Sequence, residues 1–267
     1  MIVFGFDSAW TDHPDKPGAI CAIELDKNGE SIFHTPVLAS FSDASNYVEK
    51  RQITNGLNIV AIDQSLIVKN PKGMRPVEKV AGAIIGRAGG GVQPSNTSRI
   101  GMFDDKAPIH NFLKSLNASN NPILAKQSSQ GRYIIEVFPA LALLGLNEEF
   151  YKVRKAPKYN PDNKRKFKLE DWQTVVCTVT KKSQELAISG LTSWLKDISA
   201  NNNPKKPDQD RLDATICSLV GIIWISCPES HSIMIGNMES GYMITPVNQT
   251  IKEGLDEASK RHGLTQN

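Results

Sequence analysis

Apolar residues fall in short runs separated by polar turns at the start of the chain, and in longer periodic stretches toward its end. Ile2 to Phe6 and Ala19 to Leu25 read as strands. Asp26 to Gly29 has hairpin-turn chemistry and leads into a third strand, Ile32 to Phe41. Ser42 to Thr54 is polar and amphipathic, which predicts a helix with Ser42 as its N-cap. Leu57 to Ile62 is a further apolar run. If it lies parallel to the first strand, the helix supplies the crossover, which should be right-handed.

From residue 65 to about 130 this rhythm breaks into polar, Gly- and Pro-rich sequence, including Lys69 to Gly73, Gly86 to Gly91 and Pro94 to Arg99. Helical pieces are expected at Pro76 to Ile85 and Ala107 to Asn117. The segment holds too few apolar residues for a core of its own, so it reads as an insertion serving a site. Gly86 to Gly91 lacks the Gly-Lys-Ser/Thr ending of a P-loop and reads as a hinge. Tyr133 to Phe138 is a fifth strand, stopped by Pro139. Trp172 to Leu195 is periodic and helical with a break near Gly190, Asn201 to Pro207 is a loop, and Asp208 to Ser226 is the strongest helix signal. Ser232 to Gly236 and Tyr242 to Val247 form a late hairpin, followed by a polar helix or tail from Gln249.

The fold class that results is α/β: a mixed five-stranded sheet flanked by helices, with a long insertion after strand 4 and a C-terminal β-hairpin. We read residues 1–267 as one domain. Its core is about 1–64, 131–150 and 170–227, with insertion 65–130, basic segment 151–169, and hairpin and tail 230–267.

Composition narrows the class. The 267 residues carry 31 Lys and Arg against 28 Asp and Glu, so the net charge of +3 is too small to imply nucleic acid by itself. Four scattered cysteines without C-x-x-C spacing argue against a zinc ribbon and suggest a reduced, cytoplasmic protein. The longest apolar stretch, Ala214 to Cys227, is too short to span a bilayer, so no membrane partner is expected. Charge is concentrated locally: Tyr151 to Lys168 holds eight Lys and Arg, among them Lys152 and Arg154, against the single acid Asp162. It is a candidate phosphate track, with Tyr151 and Tyr159 available for base stacking, or else a solvated loop.

Three apolar runs end in an acid: Asp7, Asp63 and Glu136. In open α/β sheets, ligands gather at the carboxyl ends of strands. On the late helix Asp213, Cys217, Val220 and Trp224 share one stripe, so Asp213 points along the buried face, and Asp210 lies one turn earlier. Converging carboxylates raise each other's pKa unless a cation neutralises them, and Mg²⁺ or Mn²⁺ prefers such oxygen ligands. The alternatives are structural: turn or backbone contacts for Asp7 and Asp63, a buried pair with Arg75 or Arg132 for Glu136, and the helix dipole for Asp210.

Together these residues carry a resemblance. The order of strands and acids resembles the ribonuclease H-like fold, and the Asp210/Asp213 pair is similar to its RuvC-type resolvase branch. More specifically, the chain resembles the family called domain of unknown function 429, whose members are described as predicted RNase H-like nucleases. The likeness runs from about residue 2 to 247. It is carried by Gly5-Phe6-Asp7, Ala61-Ile62-Asp63, Gly73-x-Arg75, Glu136-Val-Phe-Pro139, Tyr151-Lys152, Asp210-x-x-Asp213-Ala214 and the hairpin through Gly241 to Pro246. Gln64-Ser65-Leu66 stands where the family usually has Ala-Pro-Leu, which alters the loop beside the site.

The resemblance implies a metal-dependent nuclease. Asp7, Asp63, Asp210 and Asp213 would hold two Mg²⁺ or Mn²⁺ ions, with Asp7 bridging and Glu136 as a ligand or an orienting group. Arg75, Arg99 and Arg132 could clamp phosphate, and Tyr151, Lys152 and Arg154 could contact a DNA or RNA strand. Two other classes stay open. One is a nucleotide or small-phosphate hydrolase or phosphotransferase on the related actin-like fold. The other is a non-catalytic binding protein that retains the acids.

Overall fold

The computed structural model describes residues 1–26 and 28–264; Lys27, within the expected first hairpin turn, lies outside the described residues. Strands β1 (Ile2–Asp7), β2 (Gly18–Leu25), β3 (Ser31–Ala39), β4 (Leu57–Asp63) and β5 (Gly131–Glu136) form one mixed sheet in the order β3-β2-β1-β4-β5. β1, β2 and β3 pair antiparallel, while β4 joins β1, and β5 joins β4, in parallel. This is the α/β sheet that the apolar runs predict. The C-terminal hairpin is also there, as a separate two-stranded sheet of β6 (Ser232–Asn237) and β7 (Gly241–Pro246).

Strand alternation divides the sheet between two cores. Ile2, Phe4, Phe6, Ile20, Val60 and Ile62 face α1 (Phe41–Arg51) and α3 (Pro108–Leu116), where Phe6, Phe41 and Phe112 pack ring against ring. Val3, Cys21, Ile23, Ile59, Ala61 and Ile135 belong to the other core, built around α9 (Lys206–Ser226). Ser40, not Ser42, caps α1, because Asp43 stands where the reciprocal capping box needs an acceptor. The expected insertion is woven into both cores. α2 (Pro76–Arg87) packs on the α9 side and α3 on the other, with the short α4 (Pro122–Gln127) ahead of β5. After β5 come α5 (Pro139–Leu146) and α6 (Glu149–Lys152). The long helix expected next is two, α7 (Leu169–Glu185) and α8 (Leu191–Ser199), divided where Ala187 and Gly190 take positive φ. α10 (Gln249–Arg261) packs back on α2. No described helix is long and apolar enough to cross a membrane.

One contact sets the position of α9. A Cβ on Gly5 would lie 2.0 Å from the Ala214 carbonyl oxygen and 2.4 Å from the Ser218 nitrogen. One turn farther, a Cβ on Gly221 would lie 2.5 Å from Val3 Cγ1. Small residues on both elements therefore let helix and strand backbones touch, and a rigid backbone cannot yield to an added methyl group. Gly5→Ala should cost at least about 3 kcal/mol. Gly86→Ala, at an exposed α2 position with open space around it, should gain up to about 1 kcal/mol. Thermal melts of the two variants check this; similar melting temperatures would contradict it.

Candidate active site

Asp7 and Asp63 are the last residues of neighbouring parallel strands and stand opposite each other in register. By alternation both lie on the face of Gly5 and Ala61, the face α9 covers. The backbone contact at Gly5 then brings the neighbouring Asp213 over them. Asp7 is 9% exposed and Asp213 6%. All three carboxylates, together with Glu78 and Glu136, line one cavity of about 490 Å³ at the carboxyl ends of β1 and β4. Gly18 keeps β2 tight against this point, since a Cβ there would sit 1.9 Å from the Asp7 carbonyl oxygen.

The electrostatics follow from crowding. Burial pushes the Asp7 carboxyl well above its usual range, and the charges of Asp213 and Asp63 push it further while Lys206 opposes them. Asp63 is raised by burial, then by Asp213 and Glu136. Asp213 is pushed up to about 6 by burial, against the pull of Lys206 and of the Tyr159 hydrogen bond. Tyr159 Oη donates to Asp213 Oδ1 at 2.8 Å, and Gln209 Nε2 donates to Oδ2 at 3.0 Å. Both oxygens of Asp213 are thus fixed by neutral donors. Gln209 is 8% exposed and lines the cavity, yet its buried Oε1 has no partner among the described residues.

Asp210 does not line the cavity; it is engaged by the Lys206 ammonium one turn earlier. Its charge still raises Asp7 and Asp213. Glu136 departs from the expected ligand role. Its register partner is Ile62, not Asp63, so it is out of step with the two aspartates, although it lines the same cavity. Arg75, 0% exposed, grips it through Nη1 at 3.0 Å and Nη2 at 2.6 Å, and the Leu66 amide donates at 2.9 Å. Arg75 Nε also donates to Glu78 Oε1 at 2.9 Å. A buried guanidinium shared by two carboxylates is a structural hub, so Arg75 is not available as a phosphate clamp.

Three more expectations are displaced. Arg132 lies at the start of β5, the end away from the cavity, bound to Glu49 and the Leu116 carbonyl. Tyr151 is buried under Arg87 and Tyr159 is buried on Asp213, so neither ring is free to stack on a base. Lys152 is exposed but paired with Glu148. Arg154 is exposed, and Arg99 contacts Gln93 at the cavity wall. The basic segment touches the site through two residues: Tyr159 inserts and Asn160 lines the cavity, while Lys164, Arg165 and Lys166 are exposed.

The family DUF429, described as a protein of unknown function, matches residues 5–237. The chain belongs to that family. No curated protein and no solved structure matches it. In this DUF429 protein the matched span contains every carboxylate of the cavity together with Tyr159, Lys206 and Gln209.

Sequence reading missed Lys206 and Gln209 because it ended a loop at Pro207. Proline is favoured in the first helical turn, and α9 starts at Lys206. With that start, Lys206, Gln209, Asp210 and Asp213 fall at i, i+3, i+4 and i+7 on one stripe. The oxygen donors of Asp7, Asp63, Asp213 and Gln209 suit a hard divalent cation. Among the described residues, however, no three His, Cys, Asp or Glu side chains already close into a coordination shell.

A raised carboxyl favours the protonated folded state, so its effect on stability has a definite sign. For Asp213 the penalty is absent below about pH 4, grows from the ordinary 3.8 to about 6, and is complete at pH 7. Asp213→Asn should therefore stabilise the metal-free protein at pH 7 by on the order of 3 kcal/mol, or roughly 5–10 °C. The advantage should vanish at pH 4. Melts in a chelator at both pH values check it; equal stability of mutant and wild type at pH 7 would contradict it.

Proposed function

We propose that this protein is a metal-dependent phosphodiester hydrolase acting on DNA or RNA, on a ribonuclease H-like fold of the RuvC type. The observation that carries the reading is the meeting of Asp7, Asp63 and Asp213 in one cavity, with no arginine among them. Structural buried acids are normally paired, as Glu136 and Glu78 are with Arg75 in this same chain. Asp7, Asp63 and Asp213 form no ion pair among the described residues, and Gln209, which holds Asp213, keeps a buried amide oxygen without a partner there. Asp7, Asp63 and Asp213, flanked by Asp210, would hold Mg²⁺ or Mn²⁺. Such a cation, when bound, polarises a phosphoryl oxygen and lowers the pKa of coordinated water.

The chain's own residues do the remaining work. Asp7, on the central strand, stands opposite Asp63 and within charge reach of Asp210 and Asp213 on α9, so it would hold the cation together with both elements. Tyr159 and Gln209 hold the Asp213 carboxylate in a single orientation. Trp10 donates through Nε1 to the Asp63 carbonyl at 3.1 Å and, with Phe138, adds an aromatic wall on which a base can rest. Lys164, Arg165, Lys166 and Arg154, all exposed in the segment that sends Tyr159 and Asn160 to the cavity, would offer charge to a sugar–phosphate backbone. Gln64 accepts from Ser8 Oγ at 2.8 Å and ties the β1 and β4 loops together. The four unpaired cysteines support a reducing, cytoplasmic setting.

The test is incubation with Mn²⁺ and a panel of single-stranded, duplex and branched DNA, RNA and hybrid. Asp213→Asn, purified in parallel, is the control. Cleavage should be seen in at least one arm and fall by 100-fold or more in the variant. No cleavage of any polymer, with tight binding of mononucleotides instead, would replace the nuclease by a small-phosphate enzyme.

A further inference from the structure

Lys206 opens α9, one turn before Asp210 and two before Asp213. Its ammonium contacts the Asp210 carboxylate and lies within charge reach of Asp7, Asp213 and Asp63 as well. Lys206 itself lines the cavity, whereas Asp210 lies behind it. The acids therefore divide into two sides around Asp7. On the helix side, between Asp7, Asp210 and Asp213, a positive charge is already in place. On the strand side are Asp7, Asp63 and Asp213, which line the cavity and form no ion pair among the described residues.

Gln209, beside Asp213 on α9, marks the cavity independently. It is 8% exposed, its Nε2 is committed to Asp213, and its Oε1 has no partner among the described residues although the residue lines the cavity. A buried carbonyl oxygen left unsatisfied among carboxylates can gain only from a cation or from a donor that the ligand brings.

We propose that Lys206 permanently fills one of the two cationic positions, so that the protein binds a single divalent cation, held by Asp7, Asp63, Asp213 and the Gln209 amide oxygen. This rests on the metal-dependent reading above and reduces the two ions suggested by the sequence to one ion and one ammonium. The charges agree. Four carboxylates face one ammonium and one divalent ion, and the sum is one unit short of neutrality. A second divalent ion would reverse that sign and would have to break the Lys206–Asp210 pair. Lysine suits the role because its ammonium is a compact point charge on a stem long enough to reach across one helical turn.

The experiment is titration of Mn²⁺ into the metal-free full-length chain, counting bound ions by electron paramagnetic resonance of the free ion, with melting temperature recorded in parallel. Wild type should bind one Mn²⁺. Lys206→Gln should bind two and show a larger rise in melting temperature at saturating Mn²⁺. Lys206→Arg, which keeps the charge, should bind one. A count of two in wild type or in Lys206→Arg overturns the assignment of Lys206, and neither measurement depends on a variant that has lost its neutralising charge. A count of one in folded Lys206→Gln overturns it too, while leaving the metal site intact. No bound Mn²⁺ in wild type and Lys206→Gln alike would overturn the hydrolase reading itself.

Discussion

The crossing of α9 over β1 at Gly5 is the constraint on which the site depends. Backbone contact at this point fixes both the depth and the rotation of the helix, because Ala214 and Ser218 can approach the strand only where it has no side chain. Asp213 precedes Ala214 and Asp7 lies two residues beyond Gly5, so the same contact brings one carboxylate over the other. The cost is like-charge crowding in a buried place, seen in the raised pKa values of Asp7, Asp63 and Asp213. Packing of the large α9 core is what keeps them together, and Lys206 only partly offsets the repulsion.

A second buried charge system lies beside the first and does the opposite. Arg75 with Glu136 and Glu78 is closed: its hydrogen-bond donors are used within the chain, and it joins the β5 end, the Ser65–Leu66 turn and the Ser95 backbone. This hub holds the insertion against the cavity wall. Asp7, Asp63 and Asp213 are open, with the unpartnered amide oxygen of Gln209 beside Asp213. The difference between a satisfied network and an unsatisfied one, both reaching the same cavity, separates scaffold from candidate site more sharply than the presence of acids does.

Much of this was legible in the sequence. Apolar runs ending in Asp7 and Asp63 mark the sheet and the strand ends where the acids meet, and the stripe through Asp213 marks the helix that covers them. What was hidden depended on tertiary register. Nothing in Tyr-Ile-Ile-Glu-Val shows that Glu136 pairs with Ile62 rather than Asp63, or that an arginine from the insertion reaches it. Tyr159 sits in the most basic stretch of the chain, where surface contact was the natural expectation, yet its ring is drawn inward to Asp213. Lys206 was within reach of sequence reasoning, had Pro207 been taken as the first turn of a helix.

The central claim is that Asp7, Asp63 and Asp213 exist to hold a cation. Anomalous diffraction from crystals grown with Mn²⁺ tests it most directly. The account predicts a manganese peak within bonding distance of those three carboxylates. Well-ordered crystals with the three side chains resolved and no peak between them, or with manganese only at surface acids, would contradict it.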